Sequence, residues 1–377
     1  MTSILISGDF MPGGRVAEFI ERGEYEIPFS ELKALNRQAD YSIINFECAI
    51  ADESDSPITK FGPNLKCSPK SFEALKWAGY DMVTLANNHF YDFGDSSIKK
   101  SFEAIEANNL DWVGAGFNAK DASKIFYKNI NGKRFAFINC CENEFSVATD
   151  SHGGCNGLNP IKQFYSIAEA KLKADYIIVI IHGGHEHLQL PSPRMKETYR
   201  FFVDAGADAV INHHQHCYSG FEYYNGKPIV YGLGNLCFDL GADTDKLWNE
   251  GFVAHLTFDD DKVTLSTHPY IQCSKEPDVR FLEDKTDFEN NIKRLNDIIA
   301  DDKLLRKSVE EFYIKTKRAM LSPFEPYNNR YLRAAWYRRL IPSTFRGLRV
   351  RQIHNFIMCE SHLDRLRCII ADKLHNN

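Results

Sequence analysis

The chain has 377 residues, 44% of them apolar and 25% charged, with a net charge of −6; this excludes a disordered polymer and allows one large domain with an appendage. No run reaches the roughly 18 apolar residues of a membrane span, and the N-terminus has no basic region ahead of a long apolar one, so the sequence predicts a soluble, cytoplasmic protein. Residues 301–377 hold 16 Lys/Arg against 8 Asp/Glu and residues 1–300 hold 29 against 43, an acidic main body that argues against nucleic acid as a partner.

Strands and helices are predicted in alternation from the start. An apolar run at 4–6 ends in Gly8-Asp9-Phe10-Met11. A helix over 30–39 leads to a strand at 41–44, which ends in Asn45-Phe46-Glu47. A helix over 68–78, followed by Gly79, precedes a strand at 82–85 and then Asn87-Asn88-His89. After a helix over 96–108, a strand at 134–139 runs into Cys140-Cys141-Glu142-Asn143-Glu144, which could line a site as another strand end but is read first as a solvated loop. A helix over 164–173 precedes a strand at 176–181, ending in His182-Gly183-Gly184-His185-Glu186. A helix over 193–205, followed by Gly206, precedes a strand at 209–211 and then Asn212-His213-His214-Gln215-His216. Strands alternating with helices indicate βαβ construction.

Beyond residue 207 strand follows strand, at 227–233, 251–258 and 262–268, the last two as a hairpin across Asp259-Asp260-Asp261. The pattern then turns helical over 287–300 and 302–319, with a proline-marked break at 322–326. Arg330, Arg333, Arg338, Arg339, Arg346, Arg349 and Arg351 follow without one acid among them, interleaved with aromatic and aliphatic residues. This arrangement predicts a main domain over 1–285 and a helical, Arg-rich extension over 286–377. The extension is expected either to dock its apolar face on the acidic main domain, with its arginines in solvent, or to meet an anionic polymer, a membrane surface or a partner. The ten cysteines form no CxxC pair and are read as reduced thiols.

Five polar clusters at strand ends predict one convergent site, because ligand sites of α/β proteins collect at the carboxyl ends of strands. Their inventory of Asp9, Glu47, Asn88, His182, His214 and His216 suits divalent metals, which take carboxylate oxygens, imidazole nitrogens and an occasional amide oxygen. On an extended segment His214 and His216 would share one side and His213 would point away, packed or behind the ligands.

The ordered set Gly-Asp-x-Met, Asn-x-Glu, Asn-Asn-His-x-x-Asp-x-Gly, His-x-Gly-x-Glu, His-His-x-His and Gly-Leu-Gly-Asn closely resembles the bacterial CapA/PgsA family of capsule and poly-γ-glutamate synthesis proteins, itself similar to calcineurin-like metallophosphoesterases. The resemblance runs from about residue 3 to residue 270. It implies an α/β fold of four layers, two mixed β-sheets face to face with helices outside, and a helical C-terminal extension. It makes the same six residues ligands of two divalent ions (Mn, Fe or Zn), with Glu47 bridging. It casts His89 as the residue that stabilises or protonates the leaving oxygen, with Glu186 beside it as catalytic or substrate-contacting. Asn45, Asn87, His213 and Asn235 lie behind the ligands or touch substrate, and Asp92 and Gly94 shape the loop. Met11 stands where phosphoesterases have a His, which implies that one ion has fewer ligands or is absent.

Two functions remain open at this level. One is metal-dependent hydrolysis of a phosphoester, or of an amide or γ-glutamyl bond in an anionic polymer, alongside a capsule-synthesis partner protein. The other is a non-catalytic metal-binding scaffold in such an assembly. No GxxxxGK[ST] loop is present to support ATP-driven ligation.

Overall fold

A computed structural model describes residues 1–347 except 61, 242–245, 261, 322–326 and 328, together with 350 and 353, and for 316–321 the backbone alone. The expected break at 322–326, and Arg349 and Arg351, lie outside the described residues. The chain divides into two compact units, Met1–Lys307 and Ser308–Asn377.

In chain order the strands are β1 (Thr2–Phe10), β2 (Tyr41–Phe46), β3 (Ala49–Ile50), β4 (Lys66–Cys67), β5 (Met82–Thr84), β6 (Asp111–Val113), β7 (Ala115–Gly116), β8 (Phe126–Ile130) and β9 (Lys133–Cys141). They continue as β10 (Gly154–Cys155), β11 (Tyr176–His182), β12 (Ala209–His213), β13 (Phe221–Tyr224), β14 (Lys227–Val230), β15 (Asn235–Leu236), β16 (Glu250–Asp259), β17 (Lys262–Gln272) and β18 (Val279–Phe281). The helices are α1 (Gly14–Arg22), α2 (Glu26–Asn36), α3 (Lys70–Trp77), α4 (Gly94–Ala107), α5 (Ala119–Ala122), α6 (Pro160–Lys171), α7 (Pro193–Ala205), α8 (Lys246–Asn249), α9 (Thr286–Ala300), α10 (Asp302–Leu321) and α11 (Arg330–Tyr337).

Two mixed sheets form the first unit. One runs β18-β17-β16-β1-β2-β5-β6 with β15 also paired to β1, and the other runs β13-β14-β12-β11-β9-β8. They pack face to face: Phe135 and Tyr176 of the second sheet lie 5.0 and 4.9 Å, centroid to centroid, from Phe258 of the first. Strands covered on both faces read as continuous apolar runs, and β2 and β11 are buried along their whole length. Helices cover the outer faces: Phe10 of β1 meets Phe29 of α2, Phe46 of β2 stacks on Phe72 of α3 at 4.4 Å, and α6 and α7 lie on β9, β11 and β12. The strand–strand half is antiparallel in β16, β17 and β18, but β14 joins β12 in parallel.

Two differences from the sequence reading have local causes. Helix α1 was not foreseen, because Pro12-Gly13-Gly14 reads as a turn; it is held by Val16 and Ile20, one turn apart and both buried. The compact units divide at 307/308 and not at 285/286. Helix α9 packs Phe288 against Tyr218 and Phe252, and its Asn296 accepts the backbone N–H of Phe221 at 2.8 Å. Buried Lys196 of α7 then ion-pairs with Asp302 at 2.7 Å. In the second unit, the side chain of Asn329 caps α11 by accepting from the N–H of Tyr331, and Arg330, Arg333, Arg338, Arg339 and Arg346 are exposed.

Candidate metal centre

Asp9 is placed by a register shift. β1 pairs with β2 from Ile4↔Tyr41 to Ser7↔Ile44, then skips Gly8 so that Asp9 faces Asn45, while β15 brings Asn235 to its other side. Gly8 is required there, because a Cβ would lie 2.0 Å from the carbonyl oxygen of Gly234. The row Asn235-Asp9-Asn45 lies one residue before the ends of its strands in the first sheet, and the row Cys141-His182-His213 ends its strands in the second. The stacking of the sheets makes these rows neighbours.

Two donor groups form where they meet. Glu47, His182 and His214 offer one ligand atom each within 4.8 Å of one another, and Asp9, Glu47 and His216 do the same. Glu47 belongs to both. His182 Nε2 is 3.4 Å from Glu47 Oε1, 3.0 Å from His214 Nδ1 and 3.0 Å from Asn88 Oδ1; His216 Nε2 is 3.9 Å from Glu47 Oε1. All six residues are buried. Both carboxylate oxygens of Glu47 have no hydrogen-bond partner among the described residues. An unpaired buried carboxylate is costly and demands either a proton or a cation. The donor set therefore fits a divalent ion in each group, with Glu47 shared.

The electrostatics agree with that reading. Burial, followed by the charge of Asp9, pushes Glu47 up to about 8. Burial alone would raise Asp9 too, but contact with His213 and the charges of His213, His182 and His216 outweigh it and hold Asp9 below the usual carboxylate range. Burial lowers His182 to about 3, and burial with the charges of His182 and His216 lowers His214 to about 3, so both are neutral bases at ordinary pH. For His216 burial acts downward, yet the charges of Glu47 and Asp9 prevail and raise it.

The remaining expected residues divide by role. Asn45 donates to Asp9 Oδ1 at 2.8 Å, and Asn235 Oδ1 is 2.8 Å from His216 Nδ1, so each orients one of the candidate donors. Asn87 shapes the turn: its amide donates to the Phe46 carbonyl and its oxygen accepts from the N–H groups of His89 and Phe90. Glu186 is exposed, and its charge acts on Glu47, Glu144, His214 and His216. His213 does not point away: its Nδ1 is 3.0 Å from Asp9 Oδ1. The strand ends at His213, and His214 and His216 adopt φ of 90° and 54°, so the two-residue alternation of an extended segment does not apply.

Four contributors were missed or undervalued. Asp92 does more than shape its loop, because its fully buried carboxylate is 2.7 Å from His89 Nδ1 and ion-pairs with buried Lys60. Lys60 also lies 3.2 Å from His89 Nδ1, and nothing in the pattern of residues 51–65 marks it. Glu142 accepts from the Gly184 N–H at 3.1 Å and pairs with Arg194, while Glu144 Oε1 is 3.8 Å from His214 Nε2. The acids after β9 thus line the site, and the signal was their strand-end position beside β11. A separate cavity of about 660 Å³, lined by Phe102, Trp112, Phe117 and Phe126 among others, includes none of the ligand cluster.

These shifts fix how stability without metal should depend on pH. Glu47 holds its proton to about 8 when folded against 4.5 as a free side chain, so its contribution is full below 4.5 and is lost as pH rises through 8. His182 and His214 fall from 6.5 to about 3, so their contribution is full above 6.5 and is lost as pH falls through 3. Thermal melts of chelator-treated protein should peak at about pH 6.5, and added divalent ion should flatten the alkaline limb. A metal-free midpoint that keeps rising to about pH 8 would exclude an unpaired Glu47.

Comparison with known proteins covers the same region. The model of the family described as bacterial capsule synthesis protein PGA_cap matches residues 3–240. "Capsule biosynthesis protein CapA" of Bacillus anthracis is 35% identical over 242 residues, covering 62% of this chain and 59% of that protein. "PGA biosynthesis protein CapA" of Bacillus subtilis (strain 168) is 32% identical over 237 residues, covering 62% of each. The chain therefore matches about three fifths of the length of these relatives. Among solved structures, a phosphatase from Mycoplasma pneumoniae is similar at 17% identity and a TM-score of 0.46, covering 72% of this chain and 94% of that one.

Proposed function

The chain belongs to the bacterial capsule synthesis protein family PGA_cap, and from that membership and the geometry of its centre we propose a divalent-metal-dependent hydrolase acting on an anionic substrate, a phosphoester or a γ-glutamyl or other amide bond of an anionic polymer. The observation that carries this reading is Glu47, shared by two donor groups and without a hydrogen-bond partner for either oxygen among the described residues. Two ions (Mn, Fe or Zn) would be held by Asp9, Glu47 and His216 and by Glu47, His182 and His214, with Asn88 beside the second group. Bound there, they would acidify water and neutralise negative charge on the substrate.

The chain's own residues supply the proton handling. Asp92 accepts from His89 Nδ1–H, and its carboxylate would support the doubly protonated imidazolium, whose Nε2–H would pass its proton to the departing oxygen or nitrogen. Lys60 compensates the buried charge of Asp92, so that Asp92 remains an acceptor. Asn45 and Asn235 keep Asp9 and His216 oriented. The relatives' names assign them to capsule and PGA biosynthesis, and by analogy this protein would serve such a pathway beside a synthesis partner. The exposed arginines of the second unit suit contact with an anionic polymer or membrane surface.

A second reading, a non-catalytic metal-binding scaffold, is favoured by Met11, a buried apolar residue at the position where the phosphoesterases that the sequence resembles have a His. The two readings separate in one experiment. The full chain is stripped with chelator, reloaded with Mn, Fe or Zn, assayed for bound metal, and tested on a chromogenic phosphodiester and on a γ-glutamyl peptide. Metal-dependent turnover of either is the expected result. Stoichiometric metal with no turnover of both would establish the scaffold, and no bound metal would defeat both readings.

A further inference from the structure

Cys48 directly follows Glu47, and its Sγ lies 3.1 Å from the Sγ of Cys67. Cys48 immediately precedes β3 and Cys67 lies on β4, the neighbouring parallel strand, whose register pairs Ala49 with Lys66 and Ile50 with Cys67. Cys48 is fully buried, whereas Cys67 is half-buried. Two other cysteine pairs are in contact, Cys141 with Cys155 and Cys237 with Cys273, but all four of those thiols are buried. Among the described residues, Cys48 and Cys67 are the touching pair with one member open to a small reagent.

What lies on either side gives the pair its consequence. The N–H of Ala49, two residues beyond Glu47, donates to the Leu65 carbonyl at 3.2 Å. The N–H of Leu65 donates to Asp92 Oδ2 at 2.7 Å, and the same oxygen is 2.7 Å from His89 Nδ1. The intervening loop carries Lys60, the ion-pair partner of Asp92. One backbone bridge therefore connects the shared carboxylate to the Asp92–His89 pair, and the two thiols sit on it.

We propose that Cys48 and Cys67 are a modification site, a dithiol that closes to a disulfide by exchange with a low-molecular-weight disulfide and thereby staples the Glu47 segment to the segment that holds Asp92. The sulfurs must approach by about 1 Å to reach bonding distance. The Cys67 thiolate attacks the reagent R–S–S–R, forms Cys67–S–S–R and releases one RS⁻. The Cys48 thiolate then attacks the Cys67 sulfur and displaces the second RS⁻. The protein gives up two electrons and two protons, and the reagent becomes two RSH. This chemistry does not depend on the hydrolase reading, so either can fail alone.

The test uses the full chain in a glutathione buffer rich in glutathione disulfide, followed by alkylation with N-ethylmaleimide and peptide mass spectrometry. The expected product is one cross-link, between the peptides containing Cys48 and Cys67, reversed by dithiothreitol and absent from Cys67→Ser. The half-buried position makes Cys67→Ser compatible with folding, which its circular dichroism would verify. Hydrogen exchange at the amides of Ala49 and Leu65 should slow about tenfold on oxidation, because their local opening is suppressed. A Cys67–glutathione adduct that never resolves, a link to any other cysteine, or a link that appears only in denaturant would overturn the proposal.

Discussion

Glu47→Gln should strip the protein of metal and of metal-dependent turnover, while leaving the metal-free protein as stable as the parent or more so at about pH 8 to 9. The opposing signs follow from one fact. Glu47 is buried among His182, His214, His216 and Asp9, and in the absence of a cation its carboxylate has no hydrogen-bond partner among the described residues. The amide keeps the size of the side chain and removes a charge whose burial is unfavourable once the proton leaves. It also removes the donor common to both groups, so the loss should exceed the roughly 10–100-fold that an outer partner of a metal ligand costs. Metal content by atomic emission and paired thermal melts with and without chelator check both halves. A variant that retains full metal, or whose chelated form melts well below the parent at that pH, would show that Glu47 is not a shared ligand.

His89→Ala is expected to keep its metal and lose roughly 10²–10⁴-fold in turnover, most on substrates with poor leaving groups, since proton donation matters most when the leaving group is basic. His89 is held by Asp92 and lies beside Lys60 and not among the donor atoms of either group. The separation of effects, metal retained and leaving-group dependence steepened, is what distinguishes a proton donor from a ligand. Rates on a series of aryl phosphodiesters of graded leaving-group acidity provide the measurement. Equal loss across the series would make His89 a structural residue. Asp92→Asn is a poorer probe of the same idea, because it leaves the buried Lys60 ammonium without its carboxylate, and breaking such a pair costs about 3–5 kcal/mol in stability.

Much of this centre was legible one residue at a time. Apolar β-branched runs located β1, β2, β5, β11 and β12, and the polar residues at their carboxyl ends supplied Asp9, Glu47, Asn88, His182, His214 and His216 before any coordinates. Periodicity and strand-end position are local properties, and local properties survive in a linear chain. The alternation of strands with helices likewise indicated parallel pairing in the first half, and the turn at 259–261 the hairpin of β16 and β17.

What the chain alone could not decide is which donors meet. Asp9 and Asn45 become neighbours only because the register of β1 on β2 skips Gly8, and His182 approaches Glu47 only because two separate sheets stack with their ends together. Lys60 joins from a loop whose residue pattern has no period to read, so only tertiary packing reveals it, whereas Glu142 and Glu144 follow a strand end and reach the site through the pairing of β9 with β11. His213 turns toward Asp9 because the backbone leaves the extended region at His214, a choice imposed by the close passage of the chain, where the His214 N–H donates to Asp9 Oδ2. The sequence by itself determined the chemistry of the candidate donors and the elements that carry them. The sharing of Glu47 between two groups was decided by sheet packing, since it depends on distances between residues far apart in the chain that no local pattern encodes.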